Sequence, residues 1–326
     1  MTVAKKILKV VVGILLGLVL AILLFNLFLN FRYFEFYSRT VSVGEVAGLS
    51  DGLVQQGLDY VEESEALLTS GYMKDGSASR IYVTKGGKTT YTKLLEKDGK
   101  AYTGHAGGIT HFENYLYVGT TGGLDVFTLS DVVEGKESTT KLGFIALSNT
   151  ASWVTSHGGY IYAGRFSSVG DKSYPADEKH IIKSPSVVGE ANCSVISVYK
   201  LNKNATLGVE SNAPTRILSC IGRVQGGCFT DDGQLILSTS WGLTTSKFYF
   251  YDIDDAKKTT ATVEESGAPV YFLGTDCLNK VLEGPPMAEE IIALDGRMYI
   301  MNESASAKYV FGNFIGGREL YAYELN

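Results

Sequence analysis

The hydrophobic pattern divides the chain into two unequal parts. From Val10 to Phe25 there is no charged or strongly polar side chain, and Leu27, Phe28, Leu29 and Phe31 prolong the run past Asn26 and Asn30. A hydrocarbon core of about 30 Å is crossed by about 20 helical residues, so the pattern predicts a transmembrane helix over residues 10–31. Lys5, Lys6 and Lys9 precede it, and Phe31, Tyr33, Phe34, Phe36 and Tyr37 cluster at its other end. The positive-inside rule then makes residues 1–9 a cytoplasmic stub and sets the aromatic residues in the opposite interface. A cleaved signal peptide has a shorter apolar core that ends in small residues. Here the run is longer and leads into bulky rings, which favours a retained signal-anchor crossing the cell membrane once, with the rest of the chain extracytoplasmic.

Beyond residue 50 the period changes to two. Arg80-Ile81-Tyr82-Val83, Tyr115-Leu116-Tyr117-Val118, Tyr160-Ile161-Tyr162-Ala163, Phe248-Tyr249-Phe250-Tyr251 and Arg297-Met298-Tyr299-Ile300 alternate as half-buried strands do. Between such runs lie Gly86-Gly87, Gly158-Gly159, Asp232-Gly233 and Asp295-Gly296, pairs that favour tight hairpins because both central residues need positive φ. No helix is expected in this part.

A longer period sits above the alternation. A polar opening, an apolar pair, a turn and a Tyr-rich strand recur from Gln55, His105, Trp153, Gln225 and Glu289. Five units over 50–326 average about 55 residues, close to the roughly 40–50 of propeller blades with loops added. A four-stranded blade has two apolar faces and buries both only by stacking radially against its neighbours. The expected fold class is therefore all-β, a β-propeller of five blades, or six if the insert Asp171–Val188 in the third unit conceals one. A β-sandwich, the alternative, does not repeat at this period. The alternating end, Glu319–Leu325, is expected to close the ring against Arg39–Val43, so residues 32–49 read as a juxtamembrane linker that holds a candidate closing strand.

Composition agrees with many short strands and turns: 37 glycines and 20 tyrosines stand against 6 prolines in 326 residues. Charge follows the same division. Residues 1–39 carry five basic groups against Glu35, a net +4, which leaves −10 of the total −6 to the remainder. An acidic exterior domain argues against nucleic acid and against docking on anionic lipid. Cys193, Cys220, Cys228 and Cys277 show no CxxC or Cys–His metal spacing, and read as buried thiols or one bridge of open pairing. Asn192, Asn204 and Asn302 head N-glycosylation patterns.

The segments QQGLDY and LLTSGYMKDGSASRIYV resemble the first blade of the five-bladed propeller glutaminyl cyclotransferases of plants and bacteria. SWGLTTSKFYFYDI and PPMAEEIIALDGRMYIMNESASAKY are similar to segments of secreted bacterial propeller proteins. The cyclotransferase resemblance implies a five-bladed ring with an axial site. That family's acidic Glu-Gly-Ile-Thr segment is matched here by Gly104-His105-Ala106-Gly107-Gly108-Ile109-Thr110, which has no carboxylate, so no catalytic residue carries over.

The blade openers face the axial mouth of a propeller. Gln56 (or Gln55), His105, Trp153, Gln225 and Glu289 (or Glu290) are polar or aromatic, and a ring of such groups suits a polar ligand. His105 lies among glycines and is a candidate general base, with Glu289 and Glu290 as candidate acids; His111 and His157 read as surface groups. Glu289, Glu290, Asn302 and Glu303 are the oxygens that calcium would draw on, by analogy with six-bladed lactonases, but no calcium loop is present, Asn302–Ser304 is expected at the opposite rim, and no cofactor is expected. Trp241, like Trp153, is either core or a stacking platform. No GxSxG, Walker A, HExxH or paired CxxC occurs. The leading expectation is a membrane-anchored binding module for a polar small molecule, peptide or envelope protein. The alternative is an enzyme at the axial mouth, glutaminyl-cyclotransferase-like or lactonase-like.

Overall fold

The computed structural model describes residues 3–182, 191–262, 266–309, 312 and 317–325. The insert in the third unit is described only up to residue 182; 183–188 lie outside the described residues.

Val3–Arg32 forms one helix of 30 residues, long and apolar enough to cross a membrane. The two asparagines that interrupt its apolar run turn their amides back on the helix: Asn26 Nδ2 donates to the Ile22 carbonyl and Asn30 Nδ2 to that of Asn26, both at 2.9 Å. The helix is solvent-exposed almost throughout, and Leu29 is its buried residue. Helical bonds from Tyr33 N to Leu29 O and from Tyr37 N to Tyr33 O, each 2.9 Å, carry it into a short helix, Phe34–Ser38.

Five antiparallel blades follow. The first holds Leu53–Val61, Ala66–Met73, Arg80–Lys85 and Lys88–Leu95, and the second Ile109–Phe112, Tyr115–Thr120, Gly123–Thr128 and Gly143–Ala146. The third holds Trp153–His157, Tyr160–Gly164, Ser194–Lys200 and Arg216–Cys220; the fourth holds Val224–Phe229, Leu235–Thr239, Ser246–Tyr251 and Leu278–Gly284. The fifth is completed across the chain: Ala288–Leu294, Arg297–Asn302 and Glu319–Glu324 are joined by Thr40–Glu45, which pairs antiparallel with Glu319–Glu324. The ring closes as expected, with five blades. Short strands cover two outer edges: Ser138–Thr140 lies parallel to Lys88–Leu95, and Val270–Phe272 parallel to Arg216–Cys220. A covered edge offers no row of unpaired amides to another chain. Among the described residues of the ring, the α-helix Leu129–Val133 and several 3-10 turns depart from the all-strand expectation.

The buried hydrophobic residues form a main cluster at each blade–blade contact, and two smaller clusters lie on the third and first blades. The cluster between the first and second blades includes Leu68, Ile81, Leu116 and Phe127, and that between the second and third Tyr117, Val126, Ile161 and Tyr199. Trp153, Leu218, Leu237 and Tyr251 lie between the third and fourth blades, and Leu58, Met301 and Leu320 between the fifth and first. The fourth–fifth contact, built on Phe248, Leu282, Ile300 and Tyr323, also takes in Leu29, Tyr33 and Phe36. The stretch after the long helix is thus part of the packed ring. The four cysteines are buried thiols.

Candidate functional site at the axial mouth

The inner strands of all five blades start at one end of the channel, and that end is the mouth. At three of those starts the ladder slips by a bulge: between Gln55 and Gly57, between Val224 and Gly226, and between Ala288 and Ile291. A bulge leaves a residue unpaired and re-aims its side chain. The residues so released are Gln56, Gln225, and Glu289 with Glu290, four of the blade openers read from the sequence.

Three of them converge with a residue expected elsewhere. Gln56 Nε2 donates to Glu303 Oε1 at 3.0 Å, and Gln225 Nε2 approaches Glu289 Oε1 at 3.4 Å and the Ser240 hydroxyl at 3.3 Å. Glu289 and Glu303 are both buried. Burial, then the Glu303 charge and a hydrogen bond to Glu303, push the Glu289 carboxyl well above its ordinary range, which favours its protonated form. The expectation that Asn302–Ser304 lies at the opposite rim is corrected. Arg297–Asn302 runs antiparallel to Ala288–Leu294, with Asn302 opposite Ala288, so the hairpin returns Glu303 to the mouth.

Lys308 completes this wall. Its Nζ lies 3.7 Å from Glu303 Oε1, 5.5 Å from the Tyr72 ring centre and 5.0 Å from that of Tyr309. Burial alone would lower its pKa, but hydrogen bonding to Tyr72 and the Glu303 charge outweigh it and the ammonium is stabilised. His105 lies against Tyr72, the ring centres 4.8 Å apart and tilted by 30°. The residue is exposed by surface area yet ringed by protein atoms, and desolvation followed by the Lys308 charge pushes its pKa down to about 4. It is a neutral imidazole at physiological pH.

Glu290 turns away from its neighbour. Its Oε1 accepts from the Gly227 amide at 2.9 Å, and burial drives its pKa well up. It fits only because Gly226 and Gly108 have no side chain: a Cβ on Gly226 would come 2.5 Å from Glu290 Oε1, and one on Gly108 would overlap Oε2. Oε2 has no hydrogen-bond partner among the described residues, nor have Gln55 Oε1, either amide atom of Asn302, or Ser306 Oγ. The Gln55 amide nitrogen is used, donating to the Asn302 carbonyl at 2.7 Å. Buried polar atoms are nearly always satisfied, and unpaired ones gathered on the fifth and first blades are the groups a ligand would meet.

Other sequence expectations fare differently. Trp153 is fully buried between the third and fourth blades and does not face the mouth. Its strand has no bulge at that point, and the indole packs against Gly164 and Gly227, where a Cβ would not fit. His111 is half-buried, not a surface group: its Nδ1 lies 2.7 Å from Asp59 Oδ2 on the neighbouring inner strand. His157 stacks on Phe229 at 4.4 Å. Asn192 and Asn302 are buried, so neither pattern offers an accessible glycosylation site. Among the described residues no three His, Cys, Asp or Glu side chains gather as a metal site. Sequence reasoning missed Glu303 as a mouth residue, and missed Tyr72 and Lys308 altogether. A cleft of about 970 Å³ lies beside the mouth between the third and fourth blades, and its wall includes Ser240.

No protein-family model matches the chain, and no curated protein matches it in sequence. Among solved structures it is similar to the PQQ-bound aldose sugar dehydrogenase of Streptomyces coelicolor, with 12% identity, a TM-score of 0.46, and coverage of 87% of this chain and 96% of that one. Glutaminyl cyclase from Myxococcus xanthus gives 9% identity and a TM-score of 0.43 over 87% and 94%. A gluconolactonase of Xanthomonas campestris gives 12% and 0.40 over 88% and 89%. The chain is a five-bladed propeller with a distant likeness to the glutaminyl cyclase fold.

Proposed function

We propose that this chain is a membrane-anchored propeller, standing outside the cytoplasm, whose axial mouth binds a small uncharged polar molecule. The observation that carries the reading is the Glu289–Glu303 pair, with Gln56 and Gln225 donating into it and unpaired Gln55, Asn302 and Glu290 atoms beside it. Amides and the adjacent Glu289 and Glu303 carboxyls offer both donors and acceptors, the groups that pair with hydroxyls. Charges at the mouth are already matched, since Lys308 faces Glu303, which favours a neutral ligand. The apolar helix, the lysines before it and the acidic remainder support the topology.

A second reading, an enzyme, is favoured by the same pair. A carboxyl whose pKa is raised, beside a second carboxyl, can serve as acid with its neighbour as base on one substrate. Both are tested by calorimetric titration of the full chain in nanodiscs with mono- and disaccharides, sugar lactones and N-terminal-Gln peptides. Saturable binding that weakens at least tenfold in Gln56→Ala and Glu289→Gln is expected. Binding equal in wild type and a Gln225→Ala/Glu289→Ala variant, or none, overturns the site. Turnover of a bound compound that Glu303→Gln abolishes selects the enzyme.

A further inference from the structure

We propose that the rim of the mouth on the third and fourth blades lies in the headgroup layer of the bilayer crossed by Val3–Arg32, so that the axial site opens onto the membrane surface. This rests on the reading of that helix as a membrane span.

The helix leaves the apolar layer at the rim itself. Val10–Phe31 spans about 33 Å at 1.5 Å per residue, close to the hydrocarbon thickness of about 30 Å. The next residue, Arg32, is paired with Glu283 at 2.6 Å, and the Tyr33 hydroxyl lies 3.1 Å from Thr245 Oγ1. Glu283 and Thr245 are both at the mouth end of the fourth blade, where Leu278–Gly284 finishes and Ser246–Tyr251 starts. No free linker separates span from ring.

The direction of the chain sets the orientation. Phe34–Ser38 leads from Tyr33, at the mouth end, to Arg39, whose carbonyl accepts from Glu324 N at 2.9 Å at the opposite end. There Thr40–Glu45 starts back toward the mouth, with Thr40 opposite Tyr323 and Glu45 opposite Glu319. Tyr33, between the two helices, leaves helical geometry with φ −113° and ψ 38°, and no residue of the long helix before Leu29 is buried, so that helix leaves the ring from its mouth end.

The rim next to the helix is apolar where soluble loops are polar. Leu243 is 64% exposed, Val169 58%, Tyr174 50% and Trp241 36%, and all four lie in loops at the mouth end. Trp241 stacks on Phe166 at 5.6 Å and meets the edge of Tyr174 at 6.3 Å, so the patch is preorganised. Phe31 and Phe34 are exposed at the same level on the helix. Trp and other aromatic side chains favour this depth of a bilayer. The occupant is lipid and not a protein, because this patch continues the lipid-facing surface of the span. Insertion is apolar, so a zwitterionic bilayer suffices.

Trp241 is a built-in probe, since the other tryptophan, Trp153, is in the core. The full chain is reconstituted in phosphatidylcholine vesicles that carry a nitroxide quencher either just below the headgroups or near the chain ends. The shallow quencher is expected to extinguish the Trp241 emission, the deep one to act far less, and the Trp241→Phe variant to lose the response. Leu243→Asp, at an exposed position that leaves the fold intact, should also reduce shallow quenching. Emission unchanged by either quencher in a chain that floats with the vesicles overturns the proposal and leaves the anchor standing. A chain that does not float overturns the anchor reading itself, and the proposal with it.

Discussion

Phe36 and Phe34 sit two residues apart on the same short helix, and the structure assigns them opposite weights. Phe36 is fully buried, its ring near-parallel to Phe248 and Tyr323 at 6.2 and 6.1 Å and edge-on to Tyr321 at 6.0 Å. Phe34 is 68% exposed. Truncating a buried Phe to Ala costs about 3–5 kcal/mol. An unfolding entropy of about 2.1 cal/mol/K per residue over roughly 290 ring residues makes that a fall of about 5–8 °C in melting temperature. Phe34→Ala should shift it by less than about 1 °C, as surface substitutions do. Thermal unfolding of the full chain in detergent, followed by near-ultraviolet circular dichroism, separates the two. If Phe36→Ala and Phe34→Ala melt alike, residues 32–38 are a free linker after all. The rigid junction between helix and ring, on which the orientation of the mouth depends, would then be lost.

Three further substitutions probe the ring and the site. Glu289 has a raised pKa, so folding takes up a proton and the native state loses stability as pH climbs from the unfolded carboxyl's value of about 4.3 toward the raised one. Melting temperatures across about pH 5–8 should show Glu289→Gln gaining on wild type as pH rises, and parallel curves would contradict the raised Glu289 pKa. Asp59→Asn removes the hydrogen bond and charge that raise the His111 pKa against desolvation, although burial raises the pKa of Asp59 too. A loss of about 1.5–3 kcal/mol is expected, as for hydrogen bonds to charged groups, largest in chemical denaturation at pH values where His111 is protonated. Gly164→Ala sets a methyl into the Trp153 indole. It should cost about 1–3 kcal/mol or more, part of which a Trp153→Leu partner substitution restores; additivity of the two by double-mutant cycle would argue against the contact.

What could be read in advance follows from what repeats. Alternating Tyr-rich runs and Gly-Gly or Asp-Gly pairs announced the blades, and the turns behave as those pairs require: φ is positive at Gly158 and Gly159, and at Asp295 and Gly296. The closing pair, Thr40–Glu45 with Glu319–Glu324, was visible because each is an alternating strand without a local partner. Gln56, Gln225 and Glu289 were legible as openers because each blade starts at the same end. Trp153 obeyed the same rule of position but not of phase. Without a bulge its side chain takes the normal alternation and enters the blade face. Bulges of one residue leave no mark in the sequence, so polar openers and a core tryptophan look alike. Glu303, Tyr72 and Lys308 come from the outgoing strand and its loop. Their place at the mouth depends on the hairpin returning, a pairing fact and not a periodic one.

The distribution of loop length makes the same division physical. At the end away from the mouth, inner strands turn back through pairs such as Gly158-Gly159 and Asp295-Gly296. At the mouth the described connections are longer: 165–182 and 191–193 in the third blade, and 303–309 and 317–318 in the fifth. Surplus loop on one end of a rigid scaffold is where binding groups can be placed without disturbing the packing. Here the same end receives the helix, through Arg32–Glu283 and Tyr33–Thr245. A tether at the far end would have left the carboxyl pair facing bulk water. On the proposed orientation, a tether at the mouth would confine whatever reaches Glu289 and Glu303 to the space between ring and bilayer. The exposed Leu243 and Val169 of the rim and the polar atoms of the site would then be two parts of one surface, the first set against lipid and the second against what the lipid surface holds.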